Sequence, residues 1–180
     1  MDDDSRAVDR YRAGEEEAFE ELVMKYQRKI YAFVYRITGD AEESKDLTQR
    51  TFINALGAVR DFKGSSLFKT WLYQIAMNAC RNHLTRERRN DIEIEDSLVR
   101  DEAGVLVSMV EKEKRKMVKK ALEGLPERQR LSIILRVYEG LSCTETAGVM
   151  GCTEGAVKAS YHHGVKRLKE MLAEQGYEIA

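Results

Sequence analysis

The sequence predicts an all-α protein in which a flexible acidic linker joins two small helical domains. Apolar residues recur at spacings of three and four along most of the 180 residues, which is the period of an amphipathic helix. No segment sustains the alternation of apolar and polar residues that marks a strand. Charged residues make up 34% of the chain and change sign in blocks, so the charge pattern divides the chain into regions.

The first domain is predicted to span residues 1–90. The apolar pattern predicts a helix from Glu16 to Ile37, which Gly39 ends, and a second helix from Ala41 to Val59. The second helix has a polar face of mixed sign, and its predicted core residues are Leu47, Phe52, Ala55 and Leu56. A polar break at Asp61–Ser66 precedes a third helix. The predicted buried face of that helix comprises Leu72, Ile75, Ala76, Ala79 and Cys80.

The opposite face of the third helix has the composition of a surface for unpaired nucleic acid. It is predicted to carry Gln74, Met77, Asn78, Arg81, Thr85 and Arg88, with Trp71 and Tyr73 beside the apolar stripe. Aromatic rings can stack on unpaired bases, and basic side chains neutralise phosphates. The alternative is that the aromatic residues belong to the core and that the basic end is simply solvated.

The second domain is predicted to span residues 113–180 and to contain a helix-turn-helix. Helices are predicted from Glu113 to Glu123 and from Glu127 to Tyr138, with a break at the chain's only proline. Ser142 and Glu145 then form a capping-box pattern at the start of a short helix that Gly151 ends. Thr153 is predicted to cap a last helix from Glu154 to Leu172. Two helices joined by a tight glycine-containing turn are typical of a DNA-binding motif.

In such a motif the second helix enters the major groove of duplex DNA. Its predicted outward residues are Gly155, Lys158, Ala159, His162, His163 and Lys166. Lysines on that face suit phosphates or guanine edges. A helical hairpin for protein contact, with solvated lysines, is the alternative.

Residues 91–112 are predicted to be the linker. Net charge is +4 over residues 61–90, −6 over residues 91–113 and +6 over residues 114–172, so an acidic block separates two basic ones. A flexible coil of this length reaches about 26 Å. The acidic linker could fold back on the basic faces and restrain them.

Several function classes lack support in the sequence. No apolar run approaches the roughly 18 residues that a membrane span needs, and the acidic start does not resemble a secretory signal. A cytoplasmic protein without membrane insertion is therefore expected. The cysteines, Cys80, Cys143 and Cys152, lack metal-ligand spacing and are predicted to be buried thiols. The expectation is no cofactor, no metal and no catalysis, because no nucleophile, phosphate-loop or metalloprotease motif occurs.

From Ala13 to Leu172 the chain resembles the extracytoplasmic-function (ECF) group of sigma factors of bacterial RNA polymerase. The resemblance rests on four segments in order: Asp46-Leu47-Thr48-Gln49-Arg50-Thr51-Phe52; Phe62-Lys63-Gly64 with Phe68 to Asn78; Leu125-Pro126-Glu127-Arg128-Gln129-Arg130; and Leu141 to Lys158. It implies an initiation factor rather than an enzyme. The implied partners are the β′ clamp and β flap of core RNA polymerase, promoter DNA, and an anti-sigma protein.

The resemblance also implies roles for individual residues. The polymerase-binding residues would be Asp46, Gln49, Arg50 and Asn54. The unpaired minus-ten element would contact Phe62, Lys63, Gly64, Ser65, Ser66, Lys69, Trp71, Tyr73, Gln74, Asn78 and Arg81. The duplex minus-thirty-five element would contact Ser142, Thr153, Glu154, Lys158, Ala159, His162, His163 and Lys166.

The chain departs from the family pattern at a few positions. Arg50 stands where an acidic residue is common, and Ser160, His163 and Val165 stand where arginines are frequent. The promoter sequence therefore cannot be transferred from relatives. Two other function classes stay open: a dimeric helix-turn-helix repressor that acts without polymerase, and an enzyme that acts on single-stranded nucleic acid near Trp71.

Overall fold

A computed structural model describes residues 2–90 and 109–176, with side chains for residues 2–86 and 113–176. These residues form α-helices and short helical turns without a strand, so the all-α prediction is confirmed for them. The helices are α1 Asp3–Arg12, α2 Glu17–Thr38, α3 Ala41–Ala58, α4 Phe68–Asn90, α5 Met109–Glu123, α6 Glu127–Ile133, α7 Cys143–Met150 and α8 Glu154–Glu174. Residues 91–108 of the predicted linker, and with them its predicted flexibility and restraining role, lie outside the described part.

Contacts between residues divide the chain into two compact units. The first contains α1 to α4, and the second contains α5, α6, α8 and the first part of α7. No helix in the described residues is long and apolar enough to cross a membrane.

Helices α2, α3 and α4 form the body of the first unit, and each packs against the other two. The core between them includes Phe33, Ile30, Leu47, Ala55 and Leu72, all almost fully buried. Helix α2 ends at Gly39, which adopts the left-handed conformation, as predicted. Asp40 then caps α3 by accepting a hydrogen bond from the backbone N–H of Glu43 at 2.8 Å. The prediction for Leu56 is wrong, because 44% of this side chain is exposed.

Helix α1 was not predicted. Its sequence is mostly charged, and only Ala7 and Val8 supply a buried apolar surface, which is too little for a periodic signal. Tertiary contacts stabilise it instead. The buried carboxylate of Asp4 accepts hydrogen bonds from Lys25 and Tyr26 of α2. Burial and this carboxylate raise the pKa of the Tyr26 hydroxyl well above its ordinary value.

In the second unit, α8 packs across α6 and α5. Leu122, Leu125 and Ile133 form a buried cluster, against which Tyr161 and Leu168 of α8 pack. The predicted helix Glu127–Tyr138 is only partly α-helical, because it continues from Ile134 to Tyr138 as a π-helical turn. Buried thiols were predicted throughout, but the prediction holds only for Cys80; the other two cysteines are partly exposed.

Candidate nucleic-acid interface

An aromatic cluster flanks the predicted base-capturing segment, Lys63–Ser66. The ring centre of Phe62 lies 5.0 Å from that of Trp71 and 6.0 Å from that of Phe68. Phe62 and Phe68 are buried and Trp71 is half-buried, whereas residues 63–65 are exposed. Gly64 has a φ of 68°, a left-handed conformation that glycine adopts without steric cost. The loop is therefore exposed to solvent, while the aromatic rings next to it are packed together.

The surface of α4 continues from this loop. Asn78 is exposed, and Trp71, Gln74 and Arg81 on the same side of the helix are half-buried. Lys69 is also half-buried but lies on another side, with its ammonium 5.9 Å from the ring centre of Tyr73. The shared surface presents amide and guanidinium donors beside one indole ring. This combination can stack on a base and hydrogen-bond to base edges or phosphates.

Tyr73 does not lie on this surface, and its predicted contact with DNA conflicts with its position. The side chain is fully buried, and its ring meets that of Phe33 edge to face with centres 5.1 Å apart. Met77, predicted on the outward face, is also fully buried. The reason is that α4 packs against both α2 and α3, so its buried face is wider than a single apolar stripe. Phe62 is likewise buried, so its ring supports the loop from beneath.

The outer surface of α3 carries the four predicted polymerase-binding residues, and we call it the α3 ridge. Gln49, Arg50 and Asn54 are exposed, and Asp46 is half-buried. Asp46 and Arg50 form an ion pair at 2.8 Å, one helical turn apart. The arginine that departs from the family pattern is thus neutralised by its own helix.

An open apolar groove of about 720 Å³ runs beside this ridge, between α2 and α3. We call it the α2–α3 groove. It is lined by Phe19, Val23, Gln27, Arg28, Tyr31, Lys45, Thr48, Gln49, Phe52, Ile53 and Leu56. Ile53 and Leu56 are 59% and 44% exposed, which is unusual for large apolar side chains next to each other. The groove was not predicted, because the spacing of Leu56 matched that of a core residue.

On the other side of the ridge, Arg50 and Asn54 line a small cleft against α4, of about 160 Å³. Asn82, His83 and Arg86 form its opposite wall. The side chain of His83 is only 16% exposed, and its Nδ1 lies 3.3 Å from a carboxylate oxygen of Glu43. His83 is therefore packed between α3 and α4. In the described residues no group of three or more His, Cys, Asp or Glu side chains could hold a metal ion.

In the second unit, the predicted helix caps are present. The backbone N–H of Ser142 donates to Glu145 at 2.7 Å, and that of Glu145 donates to the Ser142 hydroxyl at 3.1 Å, so the capping box is confirmed. Gly151, with a φ of 64°, makes the turn after α7. The Thr153 hydroxyl accepts from the N–H of Ala156 at 3.2 Å and starts α8.

The outer surface of the motif is open to solvent. All eight residues predicted to face the minus-thirty-five element are exposed: Ser142, Thr153, Glu154, Lys158, Ala159, His162, His163 and Lys166. One carboxylate oxygen of Glu154 accepts from the Thr144 hydroxyl at 2.8 Å, which ties α7 to the start of α8. Among the eight residues, the acidic side chain of Glu154 is outnumbered by the basic side chains of Lys158 and Lys166.

Gly164 and Arg136 hold α8 in place. Gly164 is buried where α8 crosses α6, because a side chain there would meet Gln129 and Ile133. Arg136 donates to the carbonyl of Leu141 at 2.7 Å, and its guanidinium lies 5.8 Å from the ring centre of Tyr161. It thus joins the chain before α7 to α8. Neither role leaves a local sequence signal, since both depend on contacts between distant elements.

Comparisons with known proteins agree with this arrangement. Residues 22–90 match the family "Sigma-70 region 2", and residues 115–168 match "Sigma-70, region 4". The chain is 37% identical to the RNA polymerase sigma-H factor of Pseudomonas aeruginosa, with 88% of each chain covered. It is 34% identical to the ECF RNA polymerase sigma-E factor of Escherichia coli K12, with 87% of each covered.

A solved structure has a similar fold. The sigma factor RpoE of Bartonella quintana, in complex with the anti-sigma factor NepR, is 25% identical with a TM-score of 0.72. The match covers 86% of this chain and 96% of that one. Two sigma-70 regions in order and relatives of this identity over most of both chains establish the family. The protein therefore belongs to the extracytoplasmic-function group of the sigma-70 family, the non-enzymatic initiation factors through which bacterial RNA polymerase recognises promoters.

Proposed function

We propose that this protein binds core RNA polymerase in the cytoplasm and captures unpaired minus-ten bases with one domain while the other reads the minus-thirty-five element as duplex. Residues 1–90 would act as the region 2 domain and residues 113–180 as the region 4 domain. The observation that carries this proposal is that the loop residues 63–65 and the outer side of α8 are exposed, each on its own packed helical unit.

The minus-ten step would use the exposed loop and the adjoining surface of α4. Lys63 and Lys69 would neutralise phosphates, while Asn78 and Gln74 would hydrogen-bond to base edges. The half-buried ring of Trp71 would support a flipped base. Extruding a base costs a few kcal/mol, and stacking on an aromatic ring returns about 1–3 kcal/mol per base. Capture of two or three bases can therefore hold a short melted segment open.

The minus-thirty-five step would place the N-terminal half of α8 in the major groove. Lys158 lies in the second turn of the helix and Lys166 two turns further on, both on its exposed side. Each well-made base contact contributes about 1–3 kcal/mol of discrimination. The helix N-terminus at Thr153 adds backbone N–H groups and a positive dipole end, which favour a phosphate.

Polymerase binding would involve the ridge of α3 and the α2–α3 groove. Gln49 lines the groove, and Asp46, Arg50 and Asn54 lie beside it. Exposed Ile53 and Leu56 give this surface an apolar centre with a polar rim, which is the usual anatomy of a protein interface. The β′ clamp is the proposed occupant in the initiating enzyme. Contact with the β flap would fall to the second unit, where Val137 is 58% exposed.

An anti-sigma protein is the proposed competitor for these surfaces. The Bartonella quintana relative was solved with its anti-sigma factor NepR. A partner that covers the α3 ridge would exclude the clamp, because one apolar surface cannot be buried against two proteins at once. Release of that partner would then be the step that permits initiation.

Transcription in vitro from a library of randomised promoters tests this function. Core polymerase with the wild-type chain should produce transcripts that share two sequence elements, and polymerase alone should not. Trp71→Ala should lower initiation about tenfold or more, from the 1–3 kcal/mol of a stacked base. Trp71→Phe, which keeps an aromatic ring, is the matched control and should retain most activity.

Size-exclusion chromatography of the free chain, and of the chain mixed with core polymerase, distinguishes a sigma factor from a dimeric repressor. A sigma factor should elute as a monomer when free and should comigrate with core polymerase. A chain that fails to associate with core polymerase and starts no transcript from the library would refute the proposed function.

A further inference from the structure

Helix α1 lies outside the part of the chain that matches the sigma-70 regions, which begins at residue 22. Nevertheless it is firmly attached to the first unit. Ala7 and Val8 are buried, and the carboxylate of Asp4 is bound by two side chains of α2. Helix α1 is therefore a fixed part of the first unit.

The last turn of α1 contacts the 3-10 turn Val59–Asp61, which leads into the base-capturing loop. The Arg12 guanidinium donates to the carbonyl of Phe62 and, at 3.4 Å, to the carbonyl of Val59. The guanidinium of Arg60 also lies 5.7 Å from the ring centre of Tyr11. The end of α1 thus contacts the turn itself and Phe62, the residue that follows it.

The position of Phe62 follows from this contact. Its N–H donates to the carbonyl of Val59 at 3.3 Å, and its buried ring packs on Trp71. The next residue, Lys63, begins the exposed loop. The carbonyl that Arg12 holds is therefore the last fixed point of the backbone before the segment that meets DNA.

From this geometry we infer that Arg12 is a positioning residue for promoter opening: it sets the backbone from which the loop Lys63–Ser66 captures an unpaired base. A guanidinium presents several donors in a fixed plane, so one side chain can bind two carbonyls at once. Without it the turn samples more conformations, and capture must order the loop before a base can bind. This inference rests on the proposed function and adds a residue that touches no DNA.

Three variants of the full chain test it. Arg12→Ala removes both contacts, and Arg12→Lys keeps the charge but replaces the planar fork with a single ammonium. Arg10→Ala is the matched control, because Arg10 lies in the same helical turn but pairs with Glu15 and Glu21, away from the loop. Trp71 is the only tryptophan of the chain and touches Phe62, so its fluorescence reports on the base of the loop.

Two measurements are made on each variant. Acrylamide quenching of Trp71 in the free protein reports loop packing without any DNA. Permanganate reactivity of unpaired thymines reports promoter opening by polymerase holoenzyme, with core binding measured alongside. In Arg12→Ala, acrylamide should quench the fluorescence of Trp71 more strongly than in the wild type. Holoenzyme that contains this variant should open promoters about tenfold less well, which is the loss expected when charge-assisted hydrogen bonds are removed. Arg12→Lys should fall between it and the wild type, and Arg10→Ala should match the wild type.

The outcomes separate the inference from the function on which it rests. Failure of the wild-type holoenzyme to open any promoter would refute the proposed function, whatever the quenching result. If the wild type opens promoters and Arg12→Ala matches Arg10→Ala in both measurements, the inference is overturned. The inference would also be overturned if both Arg12→Ala and Arg12→Lys lost core binding to the same extent as promoter opening. General destabilisation of the protein would then explain the effect.

Discussion

Substituting Gly164 by alanine should displace the recognition helix α8 and destabilise the second unit. An alanine Cβ at this position would lie 3.1 Å from the Cβ of Gln129, 3.1 Å from the Cδ1 of Ile133 and 3.2 Å from the backbone oxygen of Gln129. A backbone atom and a Cβ cannot rotate away. Relief of the overlap therefore requires α8 to move away from α6.

The size of the effect follows from the packing of the two helices. Overpacking a close helix contact costs about 1–3 kcal/mol, which offsets the gain of about 1 kcal/mol that alanine brings to a helix interior. The control Gly155→Ala makes the same chemical change in the same helix, where the Cβ would lie at ordinary contact distance, 3.9 Å from the Thr153 hydroxyl oxygen. For a unit of this size the two variants should differ in melting temperature by about 5–20 °C.

Hydrogen exchange of the full chain gives the assay. Amides of α6 and α8 should lose protection in Gly164→Ala and keep it in Gly155→Ala, while the first unit is unchanged in both. Binding of minus-thirty-five duplex by holoenzyme should fall in parallel. Equal protection and equal melting temperatures in the two variants would refute the claim that α8 is seated by close contact at Gly164.

Asp4→Ala should lower the free energy of unfolding, measured by urea titration, by about 1–3 kcal/mol, because two donors lose the buried carboxylate that accepts from them. Asp3→Ala is the control and should change this free energy little, because the side chain of Asp3 is 86% exposed. Lys158→Ala should lower the slope of log K against log salt for duplex binding by about one if the lysine meets a phosphate, and an unchanged slope would exclude a phosphate contact. Burial raises the pKa of the Cys80 thiol to about 12, so at pH 8 it stays protonated and should resist a thiol reagent in the native protein. Cys143, which is partly exposed, should react at once under the same conditions, and rapid modification of both would contradict the burial of Cys80.

The helix ends were predictable because their signals are local. Ser142 and Glu145 satisfy each other's backbone N–H groups within four residues, and Thr153 does the same at the start of α8. Such caps involve only residues that are close in sequence, so they can be predicted before any tertiary contact is known. The outward surface of α8 was predictable for a similar reason, since that helix is buried on one side only.

The errors fall where a residue's surroundings come from several elements. Tyr73 was predicted to contact nucleic acid because it is an aromatic residue beside the polar face of its helix. In the structure both α2 and α3 pack against α4, and the ring is buried against Phe33. Leu56 matched a core stripe, yet it lies on the open wall of the α2–α3 groove. Helical period specifies which residues share a face, but it does not specify how wide the covered part of that face is.

By itself the sequence determined the helical class, the helix boundaries within a few residues, the capped helix-turn-helix and the candidate DNA surfaces, because period, caps and charge are properties of neighbouring residues. Only the tertiary structure decided that α1 exists as an attached helix, that Arg12 reaches the turn before the loop, and that Gly164 seats α8 on α6. These features join residues far apart in the chain. Their free energy comes from contacts that form only when the whole unit is folded, and no local pattern records them.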